Sequence, residues 1–223
     1  MPQLEIACFN LESAEIAHKN GADRIELCVE MSKGGTTPSI QMIQNAKAKI
    51  NIPIYVMIRP RGGNFVYSET EFEWMKTKIM ELKGIGVDGF VFGILDRENK
   101  INKIQNRTLI ALAKPLPCTF HRAFDEVPNS FEALEALIAC GFQTILTSGN
   151  AKNVNEGVNQ LEVLVQKATN RITIMPGGGL RSSNLKEIYV QTKATFYHSS
   201  AITDGTETAN PIEIQRLKSI VNE

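Results

Sequence analysis

Two arginines at the end of a short apolar run are the residues of this chain with the most evident chemistry. Residues 55–63, YVMIRPRGG, combine a β-branched and apolar run, which is typical of a buried strand, with Arg59 and Arg61. Two guanidinium groups this close are costly to hold together unless an anion balances them. The glycines that follow let the backbone approach such an anion closely. The segment therefore predicts a binding site for a small anion.

Two later strand ends predict anion binding of the same kind. Gly177, Gly178 and Gly179 follow the seventh apolar run, and Ser199 follows the eighth. In eight-stranded parallel barrels, the loops at these two places often bind phosphate through backbone N–H groups. The alternative is a tight turn that needs glycine only for its backbone. Active sites of such barrels lie at the carboxyl ends of the strands. Four further residues at or just after strand ends therefore belong to the predicted pocket: Arg122, Asp125, Ser148 and His198.

Two side chains could move a proton at such a site. His121 lies at a strand end and titrates near neutral pH. Glu26 lies inside an apolar run, where a carboxylate is costly to bury unless it is paired or used. Structural alternatives stay open, namely a histidine satisfied by a nearby carboxylate and an ion pair between Glu26 and Arg59. We take Glu26, His121 and Arg59 as the candidate catalytic residues.

Cys8 and Cys28 end the first two apolar runs, which would form neighbouring strands. Two thiolates side by side would suit a soft ion such as Cu(I). Free cysteines are also common core residues, and the chain contains no CxxC pair. A copper site with Cys8 and Cys28 as ligands is therefore one of two interpretations of these cysteines.

The strands and helices of the fold must position all of these residues, and the sequence signals for the two kinds of element alternate regularly along the chain. A glycine that ends a helix is followed within a few residues by an apolar run at Gly21, Gly86 and Gly141. We predict strands at residues 4–8, 24–28, 54–58, 89–92, 118–121, 144–147, 172–175 and 195–198. We predict helices at 11–20, 39–48, 104–113, 154–168, 184–191 and 211–221, with two more that begin near Ser68 and Asn129.

Eight strands in strict alternation with eight helices predict an α/β fold, a TIM (β/α)8 barrel that forms a single domain over residues 1–223. The carboxyl ends of its strands would then carry the site. An open doubly wound sheet is disfavoured, because no GxGxxG follows the first strand.

The composition excludes several partners. The formal net charge is zero, so no basic surface favours nucleic acid. No apolar run approaches the roughly 20 residues that a membrane-spanning helix needs, and we expect no membrane contact. Scattered cysteines and the absence of a signal-peptide pattern at the N-terminus predict a cytoplasmic protein.

Together the motifs resemble the CutC family, the copper homeostasis proteins. The resemblance runs from Leu4 to about Ser200 and rests on six segments: NGADRIELC at 20–28, GGTTPS at 34–39, VMIRPRGG at 56–63, TFHRAFD at 119–125, ILTSG at 145–149 and IMPGGG at 174–179. It implies a TIM barrel, a cytoplasmic location and a role in copper homeostasis through Cu(I) binding. Family members often carry a cysteine where this chain has Ala7, and a shift to Cys8 reverses the face of the strand.

Three functions stay open at this point. The first is copper homeostasis with Cu(I) as the bound ion, and the second is a barrel enzyme acting on a small anionic or phosphorylated metabolite. The third is a non-catalytic binding module, and a homo-oligomer is compatible with each. The enzyme accounts better for the arginines, because nearby cations oppose the binding of a positive ion.

Overall fold

The computed structural model describes residues 1–222, and within them eight short strands alternate with eight α-helices. The strands are β1 (Gln3–Cys8), β2 (Arg24–Leu27), β3 (Ile54–Met57), β4 (Gly89–Phe92), β5 (Cys118–Phe120), β6 (Thr144–Thr147), β7 (Thr173–Pro176) and β8 (Phe196–Ser199). The helices are α1 (Leu11–Lys19), α2 (Ile40–Lys49), α3 (Glu69–Ile85), α4 (Lys103–Ala113), α5 (Ser130–Cys140), α6 (Val158–Ala168), α7 (Leu185–Thr192) and α8 (Pro211–Asn222). Two 3₁₀ helices, Met31–Lys33 and Arg122–Glu126, follow β2 and β5.

All paired strands are parallel, in the order β7-β6-β5-β4-β3-β2-β1-β8. β7 and β8 lie side by side, so the sheet curls into a nearly closed barrel. The register sets Ala7 of β1 opposite Glu26 of β2, and Glu5 of β1 opposite His198 of β8. The TIM-barrel prediction is confirmed.

The predicted element bounds agree with the observed ones to within one residue, except that the helix predicted at 154–168 begins only at Val158. The turn before it explains the difference. The Asn153 side-chain oxygen accepts hydrogen bonds from the backbone N–H groups of Asn155 and Glu156, and the Gly157 N–H donates to the Asn153 carbonyl. An asparagine that caps a turn in this way competes with helix formation.

The strands are buried on both faces, and the two faces differ in chemistry. Leu4, Ile6, Ile25 and Leu27 point outward into the main hydrophobic core between the sheet and the helices. The alternate positions point into the barrel, and three of those in β1 and β2 are charged: Glu5, Arg24 and Glu26. The apolar outer face therefore stabilises the fold, while the inner face of β1 and β2 supplies chemical groups.

Gly157 lets the two ends of the loop between β6 and α6 approach each other. A Cβ atom at this position would lie 1.8 Å from the carbonyl oxygen of Ser148. We expect Gly157→Ala to lower the free energy of unfolding by about 2–4 kcal/mol, because backbone has to move. Urea denaturation measures the change.

Gly84 provides the matched control. It lies in α3, and a Cβ atom there would have no heavy atom within 4 Å. Gly84→Ala should raise the free energy of unfolding by up to about 1 kcal/mol, because alanine is the better helix former. Equal stability of Gly157→Ala and wild type would contradict the close packing of the two ends of this loop.

Candidate functional site

A cavity of about 200 Å³ opens at the carboxyl ends of the strands. It brings together eight of the residues predicted from the sequence: Glu26, Arg59, His121, Arg122, Gly178, Gly179, His198 and Ser199. Six other predicted residues do not line it: Cys8, Cys28, Arg61, Asp125, Ser148 and Gly177. The barrel thus gathers side chains from distant parts of the chain into one small space.

A buried ion pair lies inside the barrel beneath the cavity. Arg24 Nε donates to the Glu5 carboxylate, and the Arg24 guanidinium lies between the rings of Tyr55 and Phe196, 4.1 Å from each centroid. The other Glu5 oxygen lies 2.7 Å from Nδ1 of His198. Burial alone would raise the pKa of Glu5, but Arg24 and His198 lower it to about 2. Glu5 is therefore a full negative charge inside the barrel.

Glu26 is a second buried carboxylate inside the barrel, and it has no ion pair. Its Oε2 atom has no hydrogen-bond partner, and the residue is 4% exposed. Burial, with the charge of Glu5, raises the pKa of Glu26 to about 7, although His198 and Arg24 act in the opposite direction. The ion pair with Arg59 that the sequence left open does not form. A carboxyl group with a pKa near neutrality can both accept and give a proton.

His121 faces the cavity from the end of β5. Its Nδ1 accepts a hydrogen bond from the backbone N–H of Ala123 at 3.3 Å, so in the neutral ring the proton belongs on Nε2. Nε2 has no partner. Burial, and after it the charge of Arg59, lowers the pKa of His121 to about 3. His121 is thus a neutral imidazole with an unused N–H donor, and no carboxylate satisfies it.

Arg59 is held mainly by backbone carbonyls. Its guanidinium donates to the oxygens of Lys33, Gly35 and Gly63 at 2.8–3.0 Å and lies 4.8 Å from the centroid of the Phe65 ring. Only Nε is left without a partner, and the residue is 4% exposed. Arg59 therefore ties the loop after β2 to the loop after β3.

Arg61 has a similar structural role at a more exposed position. It bonds Glu71, the N3 residue of α3, and donates to the carbonyl oxygen of Val66 at 2.9 Å. Its guanidinium also lies 5.2 Å from the centroid of the Tyr67 ring. These contacts stabilise the loop that contains Arg61, and the Arg61 side chain does not line the cavity.

Arg122 is positioned by Asp125 and Ser148. Its Nε donates to Asp125 at 2.8 Å and its Nη2 donates to the Ser148 hydroxyl at 2.9 Å, and the side chain is 42% exposed. Asp125 also accepts hydrogen bonds from Thr147 and from backbone N–H groups of the loop after β6. Asp125 and Ser148 therefore contribute indirectly, by fixing an arginine that faces the cavity.

The loop after β7 offers free backbone donors. Gly178 and Gly179 have φ angles of 101° and 77°, in the region that favours glycine. Within residues 1–222, no hydrogen bond uses the N–H of either glycine. A Cβ atom at Gly178 would lie 2.9 Å from Cζ of Arg122. The absence of a side chain at Gly178 therefore allows the Arg122 guanidinium to pack against the glycine turn. Gly177 packs under His198 instead.

Arg181 lines the cavity and was missed from the sequence. Its guanidinium contacts the hydroxyls of Ser199 and Ser200 at 3.3 and 3.4 Å and the carbonyl oxygen of Ile202 at 2.9 Å. It thereby joins the loop after β7 to the loop after β8. Its position in the loop after β7 could have identified it, because the whole loop that follows a strand lies at the end of the barrel where sites form.

Cys8 and Cys28 lie on opposite faces of the sheet. Cys8 packs in the outer hydrophobic core, whereas Cys28 belongs to an inner cluster with Tyr55, Met57 and Val91. Burial raises the pKa of both thiols well above the ordinary value. The structure does not bring the two sulfur atoms into one site, because strand alternation points them apart.

Glu5, Glu26 and His198 each offer a ligand atom, and these atoms lie within 4.8 Å of one another. By position they could hold a metal ion. Carboxylate oxygens and an imidazole are harder donors than Cu(I) prefers. In addition, Arg24 already occupies one oxygen of Glu5, and its positive charge would oppose a cation. The donor set therefore does not fit Cu(I).

Comparison with known proteins gives a consistent result. A family model described as the CutC family matches residues 2–203. The human copper homeostasis protein cutC homolog is 46% identical over 198 residues, which cover 89% of this chain and 72% of the relative. A protein named as family protein CutC from Photorhabdus laumondii is 42% identical and covers 90% of this chain and 80% of the relative.

Solved structures agree on the fold. The structure of a CutC protein from Streptococcus agalactiae is 36% identical, with a TM-score of 0.86 over 91% of this chain and 100% of the other. Phosphoribosyl anthranilate isomerase from Thermotoga maritima superimposes with a TM-score of 0.68 at 15% identity, over 100% of this chain and 99% of the other. The second similarity shows a shared fold alone.

The contacts of Arg59 predict that its removal damages the fold. Arg59→Ala leaves three carbonyl oxygens without their donor, so we expect the free energy of unfolding to fall by about 2–4 kcal/mol. Arg216→Ala, at an exposed arginine of α8, is the control and should change it by less than about 0.5 kcal/mol. Equal stability of the two variants in urea denaturation would rule out the tie between the loops.

Proposed function

The chain belongs to the CutC family, and from the geometry of its cavity we propose that it is an enzyme that transfers a proton on a small anionic metabolite, with a phosphorylated compound as the favoured class. One observation carries the proposal: anion donors and proton-transfer groups line the same cavity. Gly178, Gly179 and Arg122 supply the donors, while Glu26 and His121 supply the proton chemistry. Metabolites of this kind belong to the cytoplasm, where we also place the protein.

The anion would bind beside the glycine turn. Gly178, Gly179 and Arg122 line the cavity, and among residues 1–222 neither glycine N–H nor Nη1 of Arg122 has a hydrogen-bond partner. Such a group of donors matches the several oxygen atoms of a phosphate better than it matches a neutral ligand. Ser200 adds a hydroxyl group at the same edge. Phosphate bound there would leave the rest of the ligand directed at Glu26 and His121.

Proton transfer would take place deeper in the cavity. Glu26 as a carboxylate can remove a proton from a carbon atom next to a carbonyl group. The neutral His121 can donate a hydrogen bond from its Nε2–H to the carbonyl oxygen, on which negative charge then develops. A neutral donor suits this role because its own proton is held firmly at working pH.

Copper binding is the second candidate, in line with the names of the relatives. The observation that favours it is a pair of soft donors inside the barrel. A Cβ atom at Gly35 would lie 3.5 Å from both Cβ and Sγ of Cys28 and 3.6 Å from Cε of Met57, so the two side chains approach the same point. A thiolate and a thioether are the ligands that Cu(I) prefers. Cys8, on the other face, would take no part.

The anion site can be tested with inorganic phosphate. Phosphate should raise the melting temperature of the wild-type protein, and its apparent affinity should fall about tenfold in Arg122→Met, because a charge-assisted hydrogen bond is lost. Arg97→Met is the control, since Arg97 is an exposed arginine in the loop after β4. The same affinity in Arg122→Met and wild type would refute the proposed anion site.

The copper candidate makes a different prediction. If Cu(I) binds inside the barrel, Cys28→Ala should lose it and Cys8→Ala should keep it, because only Cys28 lies on the inner face. Competition with a chromogenic Cu(I) chelator under reducing conditions measures this. Loss of copper in both variants would instead support the two-cysteine site predicted from the sequence.

A further inference from the structure

We infer that His198 is a second proton-transfer group of this cavity and that Glu5 is the residue that positions it. The inference rests on the proposed function, because it completes a transfer that Glu26 begins. Neither the sequence motifs nor the names of the relatives assign a role to Glu5.

The hydrogen bond between Glu5 and His198 fixes the orientation of the ring. His198 Nδ1 lies 2.7 Å from Glu5 Oε1, and Glu5 is fully buried. An ionised carboxylate can only accept hydrogen bonds, so Nδ1 carries a proton. Nε2 is then the nitrogen that is free for the cavity, which His198 lines.

Arg24 holds Glu5 in place. It bonds the second carboxylate oxygen, and its guanidinium is fixed between the rings of Tyr55 and Phe196. A further contact, 3.5 Å from Nη2 to Met175 Sδ, closes the remaining side. Glu5 therefore has little freedom to turn away from His198.

The charges around His198 favour its protonated form. Glu5 of β1 and Glu26 of β2 are the two carboxylates nearby, and Arg24 of β2 opposes them. Burial also acts against the charged ring, but the hydrogen bond to Glu5 and the two carboxylates raise the pKa of His198 overall. The other charged or titratable groups that line the cavity are Arg59, His121, Arg122 and Arg181.

Glu26 and His198 can therefore act as a base and an acid on one ligand. Both residues line the same cavity of about 200 Å³, so one small ligand can contact Glu26 with its α-carbon and His198 with its carbonyl oxygen. Glu26 takes a proton from carbon, and the electron pair of that C–H bond forms a C=C bond as the carbonyl becomes an enolate. His198 then gives its Nε2 proton to the enolate oxygen, which becomes an enol. Glu26 gains one proton and His198 loses one, so the step needs no other reactant.

The test is a pH titration of the histidine rings in ¹⁵N-labelled protein by NMR. The chain has three histidines, so each ring can be assigned from single variants. We expect His198 to titrate above the ordinary value of about 6.5 and to show the Nδ1–H tautomer when neutral. In Glu5→Gln its pKa should fall, while Glu12→Gln, at an exposed carboxylate of α1, should leave it unchanged.

Two results would overturn the inference. One is a wild-type His198 that titrates at or below the ordinary value or shows the Nε2–H tautomer, a result that does not require the Glu5→Gln variant to fold. The other is an unchanged His198 pKa in folded Glu5→Gln. Thermal stabilisation by phosphate, measured on the same samples, distinguishes a failure of this inference from a failure of the proposed anion site. If phosphate fails to stabilise wild type while His198 titrates as expected, the anion site is wrong and the Glu5–His198 pair stands.

Discussion

The charge of Glu5 inside the barrel is the constraint on which the rest of the site depends. A buried carboxylate is costly unless its charge is balanced and its oxygens are bonded. Arg24 and His198 do both, and the rings of Tyr55 and Phe196 hold Arg24 in position. Once Glu5 is balanced in this way, Glu26 is left inside the barrel as a carboxylate that no cation bonds, and burial raises its pKa to about 7. The reactivity of one carboxylate thus follows from the pairing of the other.

The arginines at the rim show the same division between structural and chemical roles. Arg59 is held by carbonyl oxygens of the loops after β2 and β3 and Arg61 by its own loop, so both arginines stabilise the rim of the barrel. Arg122 is held through two of its nitrogen atoms and keeps a third beside the glycine turn. A rigid arginine beside free backbone N–H groups needs little reorganisation to bind an anion, and preorganisation of this kind is what a catalytic site requires.

The sequence predicted the barrel and several residues of its cavity, because helix-end glycines and apolar runs are local signals. His121 and His198 were found because they lie at strand ends, which needs only the order of the elements, and Glu26 was found because a carboxylate inside an apolar run is costly to bury. The role of Arg59 could not be predicted, since it depends on how the loops around Lys33 and Gly63 fold in space. Glu5 carried a signal that was not used: it alternates with Leu4 and Ile6 as Glu26 alternates with Ile25 and Leu27.

Native mass spectrometry of gently purified, reduced protein tests the central claim most directly, because it measures the mass of any ligand that stays bound to the protein. The account predicts a small anionic compound that stays bound to wild type and to Cys28→Ala and is lost in Arg122→Met. One equivalent of copper that stays with wild type, disappears in Cys28→Ala and is indifferent to Arg122→Met would contradict the account and favour the copper site.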